Sequence, residues 1–207
     1  MKICVYAISK NEEKFVDRWV DSMQEADEIY VLDTGSTDNT VSLLKERGVN
    51  VSTKIITPWR FDTARNESLK LLPSDTDICV CTDLDEIFLK GWRKKLEAAW
   101  QENTTRLRYT YNWKLDENNH PIVSFYSDKI HTITNYSWIN PVHEVLTSTI
   151  KENFIIVPDI TLNHYPDPTK DRSNYLPLLA LAVKENPNND RNMQYLGREY
   201  MYYGYWK

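Results

Sequence analysis

The sequence predicts an α/β fold: a mixed, mainly parallel central sheet flanked by helices, followed by a C-terminal helical hairpin. Three observations predict it. Short apolar runs alternate with helical patterns through the first hundred residues, segments of two-residue alternation follow Trp100, and the text from Asn174 onward is helical.

Lys2 to Ile8 is an apolar run of strand length, and Glu12 to Gln24 places Phe15, Val16, Trp19, Val20 and Met23 on one helical face. Ile29 to Leu32 repeats the strand signal. The polar turn Asp33 to Asn39 then offers Ser36 and Thr37 as N-caps for a helix closed by Gly48. Val51 to Ile56 reads as a third strand. Asp62 is placed to cap a helix running to Leu72 and stopped by Pro73, and Ile78 to Cys81 reads as a fourth strand.

Beyond Trp100, Leu107, Tyr109, Tyr111 and Trp113 alternate with polar residues, Glu117 to Asn119 reads as a turn, and Ile122 to Tyr126 as a returning antiparallel strand. Val145 to Ile150 and Phe154 to Val157 are also strand-like, and Asn163 to Asp167 reads as a loop. Residues 1–170 are therefore expected to form one domain and 171–207 a helical segment. There Leu196, Gly197, Tyr200 and Gly204, with Leu179, Ala182 and Pro187 before them, match part of a tetratricopeptide repeat, which predicts truncation from a longer protein.

Composition narrows the function classes. Hydrophobic residues are 41% and charged residues 27% of the 207, which is globular rather than disordered. Thirty acids against 25 bases, a formal charge of -5, lack the basic excess that a nucleic-acid backbone requires. No run approaches the roughly 20 apolar residues of a membrane span. Cys4, Cys79 and Cys81 are odd in number and lie in apolar runs, which predicts reduced core thiols and a cytoplasmic chain.

The chemistry concentrates where strands end. Cys79-Val80-Cys81-Thr82-Asp83-Leu84-Asp85-Glu86 is an apolar strand closing in three carboxylates, at the end of the sheet where open α/β folds bind ligands. Clustered carboxylates call for a hard divalent cation, Mn2+ or Mg2+, able to carry a polyphosphate. Ser9-Lys10-Asn11-Glu12, the D-T-G-S-T-D-N-T string from Asp33 and the F-D-T-A-R-N string from Phe61 follow the other three strands and belong on the same rim.

Taken together, the Asn11-Glu12 pair, these two strings and D-L-D-E resemble a family 2 glycosyltransferase of the GT-A nucleotide-sugar fold. The resemblance implies that the backbone at Ala7, Ile8 and Ser9 flanks the donor base and that Asp33 bonds it. It also implies that Asp62 and Arg65 hold the nucleotide and diphosphate, that Asp83 and Leu84 lie against the donor, and that Asp85 ligates the metal with Asp83 beside it. Trp138-Ile139-Asn140-Pro141-Val142-His143-Glu144 resembles the acceptor segment, which makes Glu144 the base, His143 its competitor and Trp138 the acceptor platform. His164 matches a late-loop metal ligand, whereas His120 and His131 read as structural.

The implied function is metal-dependent transfer of a sugar, from a uridine diphosphate sugar, to a hydroxyl on a glycan or protein with inversion. The C-terminal helices offer a surface for a protein partner. Two other classes compete: a haloacid dehalogenase-like phosphatase using Asp83 as nucleophile, which finds no later Asp-Asp pair here, and a non-catalytic nucleotide-sugar-binding module.

Overall fold

The computed structural model describes residues 1–170 and 172–205; Asp171, Trp206 and Lys207, within the expected C-terminal segment, lie outside the described residues. Strands β1 (Ile3–Ser9), β2 (Glu28–Asp33), β3 (Asn50–Thr53) and β4 (Ile78–Cys81) pair in parallel, with β1 central between β2 and β4. An interior position explains the sequences of β1 and β4. Every residue of β4 and six of seven in β1 are buried, as continuous apolar strands covered on both faces should be.

Between them run α1 (Val16–Met23, led by a 3-10 turn at Glu13–Phe15), α2 (Thr40–Glu46) and α3 (Phe61–Leu69). The predicted face of α1 is the buried one, with Phe15, Val16, Trp19, Val20 and Met23 all in the core. Two expected caps do not form. Helix α2 begins after Asn39 without a side-chain cap, because Ser36 is bonded to Asp33 and the backbone N–H of Thr37 to Asn11. Helix α3 follows Arg60, and Asp62 sits inside its first turn, paired with that arginine.

After β4 the chain makes a short strand β5 (Glu86–Phe88) and a helix α4 (Trp92–Ala99) that the sequence reading does not anticipate. The long hairpin β6 (Arg106–Leu115) and β7 (Pro121–Thr132) comes next, then a two-stranded ribbon β8 (Tyr136–Ile139) and β9 (Val145–Ser148), and finally β10 (Phe154–His164). The eight-stranded sheet has the order β3-β2-β1-β4-β7-β6-β10-β5 and is mixed: β7 runs antiparallel to β4 and β6, and β5 antiparallel to β10. The 82–86 turn must cross from β4 to the far edge, so the sheet curls around it. Glu86 pairs in register with His164 there.

The two faces bury different cores. Ile3, Val5, Ala7, Val80, Leu107 and Tyr109 pack under α1 and α4, whereas Cys4, Tyr6, Cys79, Cys81, Tyr136 and Trp138 pack on the face of α3 and the β8–β9 ribbon. All three cysteines are buried and free, as expected. Helices α5 (Tyr175–Glu185) and α6 (Asp190–Tyr202) form the C-terminal hairpin and dock against Val142, Trp59 and Phe61 through Leu178, Leu179 and Leu196. No described helix is long and apolar enough to cross a membrane.

His131 illustrates how the second core accommodates polar groups. Its Nδ1–H donates to the Thr132 carbonyl (2.7 Å), so its Nε2 accepts from the Tyr6 hydroxyl (2.8 Å), which in turn accepts from Trp138 Nε1 (3.0 Å). Complete burial pulls the imidazole from 6.5 down to about 3. The unfolded chain therefore binds a proton that the folded chain refuses, and stability is lost as pH falls from 6.5 toward 3. His131→Asn should flatten urea-derived stability between pH 6.5 and 5, by a slope approaching about 1.4 kcal/mol per pH unit. An unchanged slope would contradict a neutral buried imidazole.

Candidate active site

Parallel register brings the strand ends to one rim. Ser9 is level with Asp33, and Cys81 is level with Tyr6, so Asp83 emerges beside Ala7 to Ser9. The Asp33 carboxylate, 1% exposed, organises the turn that follows it. Its Oδ1 accepts from the backbone N–H groups of Gly35 and Ser36 (both 3.0 Å) and its Oδ2 from the hydroxyls of Ser9 (3.1 Å) and Ser36. In this arrangement the carboxylate expected at the donor base holds its own loop.

The centre of the site is a buried guanidinium. Arg65 projects from α3 onto the ring of Trp138 (5.6 Å), donates through Nε to Glu144 Oε1 (3.0 Å), and binds Asp83 Oδ1 through a terminal nitrogen. Another terminal nitrogen reaches the Thr82 carbonyl (3.4 Å). Burial alone would lower its pKa, but Asp83 and Glu144 outweigh that and hold it well above the ordinary arginine value. Asn66, one residue on, fixes the opposite side: its amide donates to the Trp138 carbonyl and accepts from the Trp138 N–H, both at 2.8 Å. Thus the F-D-T-A-R-N string ties α3 to β8 and places Glu144 opposite Asp83.

Asp83 has a second cation. Lys129 Nζ from β7 lies 3.4 Å from its Oδ2 and 3.0 Å from Glu86 Oε1, which also accepts the Tyr111 hydroxyl at 3.0 Å. Burial would raise the Asp83 pKa, but Arg65 and Lys129 hold it well below the usual carboxylate range. Glu86 is shifted upward, by burial first. Asp85 faces a different neighbour: its Oδ2 is 3.5 Å from His164 Nε2, while His164 Nδ1–H donates to the Trp113 carbonyl (3.1 Å). Desolvation pulls His164 down, yet the bond and charge of Asp85 leave it raised. Glu12, buried and paired with Lys170, is pushed up to about 7 by burial against the pull of that lysine.

Several expected placements need correction. Arg65 is 3% exposed and each of its three nitrogens has a partner within the protein, so it bridges carboxylates instead of presenting itself to a diphosphate. Asp62 is held bidentately by Arg60 at 3.0 and 2.8 Å, and Arg60 also binds Glu185 of α5, so this carboxylate anchors the C-terminal hairpin. Trp138 is 4% exposed beneath Arg65 and offers no open platform. The Leu84 side chain packs in the large core. His143, at φ 50°, stacks on Tyr195 of α6 at 4.1 Å, and burial lowers its pKa to about 4, which turns it away from base chemistry. Asp83, Asp85 and His164 do not converge, and among the described residues no three His, Cys, Asp or Glu side chains enclose a cation site.

Lys129, Tyr111 and Lys170 are the members that sequence reasoning did not assign to the site, and Glu86, counted there only as one carboxylate of the cluster, binds Lys129 and Tyr111. No sequence signal singles out Lys129: only the fold turns its partly buried ammonium toward Asp83 and Glu86.

Arg65 also carries a stability prediction. Arg65→Met leaves the little-exposed Glu144 without its counter-charge while Asp83 keeps Lys129, and should cost about 3 kcal/mol in urea unfolding, the lower end for a broken buried pair. Arg65→Lys, which keeps the charge but cannot fork between two carboxylates, should cost less. A loss below about 1 kcal/mol for Arg65→Met would place the pair in the class of solvent-screened surface bridges.

Comparison with known proteins adds to this geometry. No curated protein matches the chain. Among solved structures, S. aureus TarS superposes over 91% of this chain and 40% of its own, with a TM-score of 0.58 and 15% identity, a likeness of fold. Glucosyl-3-phosphoglycerate synthase from Mycobacterium tuberculosis, in complex with Mn2+ and UDP-glucose, matches 53% of this chain and 43% of its own, with 26% identity and a TM-score of 0.45. That synthase was also crystallised with Mg2+ and UDP. The chain thus spans less than half the length of either protein. The family model "Glycosyl transferase family 2" matches residues 4–150, which contain the rim, the Arg65 bridge and Glu144, and the chain belongs to that family.

Proposed function

We propose that this chain transfers a sugar from a nucleotide diphosphate sugar, a uridine one, to a hydroxyl acceptor on a glycan or protein. The observation that carries the reading is the pairing of two sites on one rim: Asp85 beside His164, and Glu144 held to Asp83 through Arg65. A carboxylate and an imidazole at 3.5 Å, both little exposed, form a donor set that suits Mn2+, which accepts imidazole, better than Mg2+, which takes oxygen ligands. The ion, when bound by Asp85 and His164, would neutralise charge on the departing diphosphate.

The rest is done by protein groups. Glu144 accepts the acceptor's proton on one of its carboxylate oxygens while Arg65 fixes the other, which supports inversion by a single displacement. Arg65 and Lys129 hold Asp83 ionised, so the rim's charge is set before donor arrives. Asp33 and Ser9 shape the loop beside which the base would lie.

The phosphatase reading loses support because both oxygens of its required nucleophile, Asp83, are engaged by cations. Reduced, buried thiols support a cytoplasmic setting. The α5–α6 hairpin is compatible with a tetratricopeptide-like unit that recruits a protein. Calorimetric titration with UDP, GDP, CDP and ADP, with and without Mn2+, tests the proposal: UDP binding strengthened by Mn2+ is expected, and metal-independent binding of all four would overturn it.

A further inference from the structure

The loop that carries Glu144 has an unusual backbone. Asn140 and His143 both lie in the left-handed region, at φ 78° and 50°, which residues other than glycine enter rarely and keep only where their surroundings impose it. Among the described residues the Glu144 carboxylate itself has one partner, Arg65, at 3.0 Å. A bond at the tip of a side chain fixes one carboxylate oxygen; the backbone behind it needs supports of its own.

Most of that support comes from the C-terminal hairpin. Arg191 of α6 donates to the His143 carbonyl (2.6 Å), and Tyr195, one turn further along the same face, stacks on the His143 ring with centroids 4.1 Å apart and planes 16° from parallel. The Arg191 guanidinium also lies over the Tyr195 ring (4.9 Å), so the two side chains brace each other. Asn192, 1% exposed, donates from its amide to Asn140 Oδ1 (3.1 Å), and Leu178 and Leu179 of α5 pack on Val142. Helix α6 thus grips both left-handed residues of the loop. Helix α3 adds one backbone bond, from the Phe61 N–H to the Pro141 carbonyl (2.9 Å), and the hairpin is clamped to the start of α3 by Arg60, which joins Asp62 to Glu185.

We propose that the α5–α6 hairpin belongs to the catalytic unit, with Arg191 and Tyr195 as positioning residues that hold His143 and thereby set where the Glu144 carboxylate meets the acceptor hydroxyl. The inference rests on the reading of Glu144 as base. Both residues act through His143, and a displacement of about 1 Å at a reacting group is enough to lower turnover about 10²-fold.

The test follows UDP released from UDP-glucose and UDP-N-acetylglucosamine, with Mn2+ present and water as acceptor, together with amide hydrogen exchange across residues 140–144 of the whole chain. The exchange readout needs no turnover. Tyr195→Ala and Arg191→Met, at a half-buried and an exposed position, should each lower kcat by about 10–100-fold, leave the donor KM within about twofold and speed exchange in the loop about tenfold. Tyr195→Phe, which keeps the stacked ring, and Arg191→Lys, which keeps a charged donor, should return both readouts to within about threefold of the parent. In a Glu144→Gln background Tyr195→Ala should cost less than about twofold further, because the loop no longer carries a proton acceptor; a merely structural role would lower the rate equally in both backgrounds. Unchanged loop exchange, or faster exchange with no loss of kcat, would overturn the proposal. Parental turnover in Glu144→Gln would instead strike the base reading beneath it, so the two failures are told apart.

Discussion

Asp85→Ala is expected to remove the Mn2+ dependence of UDP binding altogether. Asp85 is one of the two side chains facing each other across 3.5 Å at the rim, and the other, His164, has its second nitrogen committed to the Trp113 carbonyl. With the carboxylate gone, a lone imidazole remains. The loss of apparent metal affinity should exceed the roughly 10–100-fold that follows removal of an outer-shell partner from a metal site. Asp83→Asn should behave differently, because Asp83 is bound to Arg65 and Lys129: stability falls, while Mn2+ still strengthens UDP binding. Calorimetry on the two variants separates the roles. If Asp83→Asn loses the Mn2+ effect and Asp85→Ala keeps it, the assignment is inverted.

Glu144→Gln is expected to lose transfer by about 10²–10⁴-fold while donor binding stays within twofold of the parent. The substitution is close to isosteric. A glutamine carbonyl oxygen still accepts the Arg65 Nε–H bond that now measures 3.0 Å, so the loop from Asn140 to Glu144 keeps its anchor. What disappears is the capacity to take a proton. Transfer at the parental rate would remove Glu144 as base, and a parallel loss of UDP binding would mean that the residue holds the donor site together instead.

How far these features were legible in the sequence depends on what each required. Strands β1 and β4 were readable because a strand covered on both faces must be apolar at nearly every position, and Cys4 to Ala7 and Ile78 to Cys81 are, whereas the edge strand β3, mostly exposed, runs over Asn50–Thr53 and not to Ile56 as expected. Helix α4 was not: only Trp92 and Leu96 of its eight residues are buried, and the charges between them leave no apolar stripe of ordinary width. The caps proposed at Ser36, Thr37 and Asp62 failed because each side chain had a nearer competitor, Asp33, Asn11 and Arg60 respectively, that only the folded loops supply.

The rim itself was legible, since strand ends and polar strings coincide. Which charges pair across it was not. A buried arginine and an exposed one look alike on a helix, and Arg65 is inside because β8 closes over it, a fact fixed by the Asn66 amide and the position of Trp138. Likewise Trp138 and Trp113 are both strand tryptophans preceded by a polar residue. One is closed off by α3 and the other stands on a hairpin that rises beyond the sheet, where β7 from Pro121 to Tyr126 is exposed on both faces.

The most direct measurement of the central claim is anomalous diffraction from crystals soaked with UDP and Mn2+. A single manganese peak in contact with the Asp85 carboxylate and His164 Nε2, with diphosphate oxygens completing its shell, is the predicted result. A peak elsewhere on the molecule, or a bound diphosphate with Asp85 and His164 still facing only each other, would contradict metal-assisted donor binding at this rim.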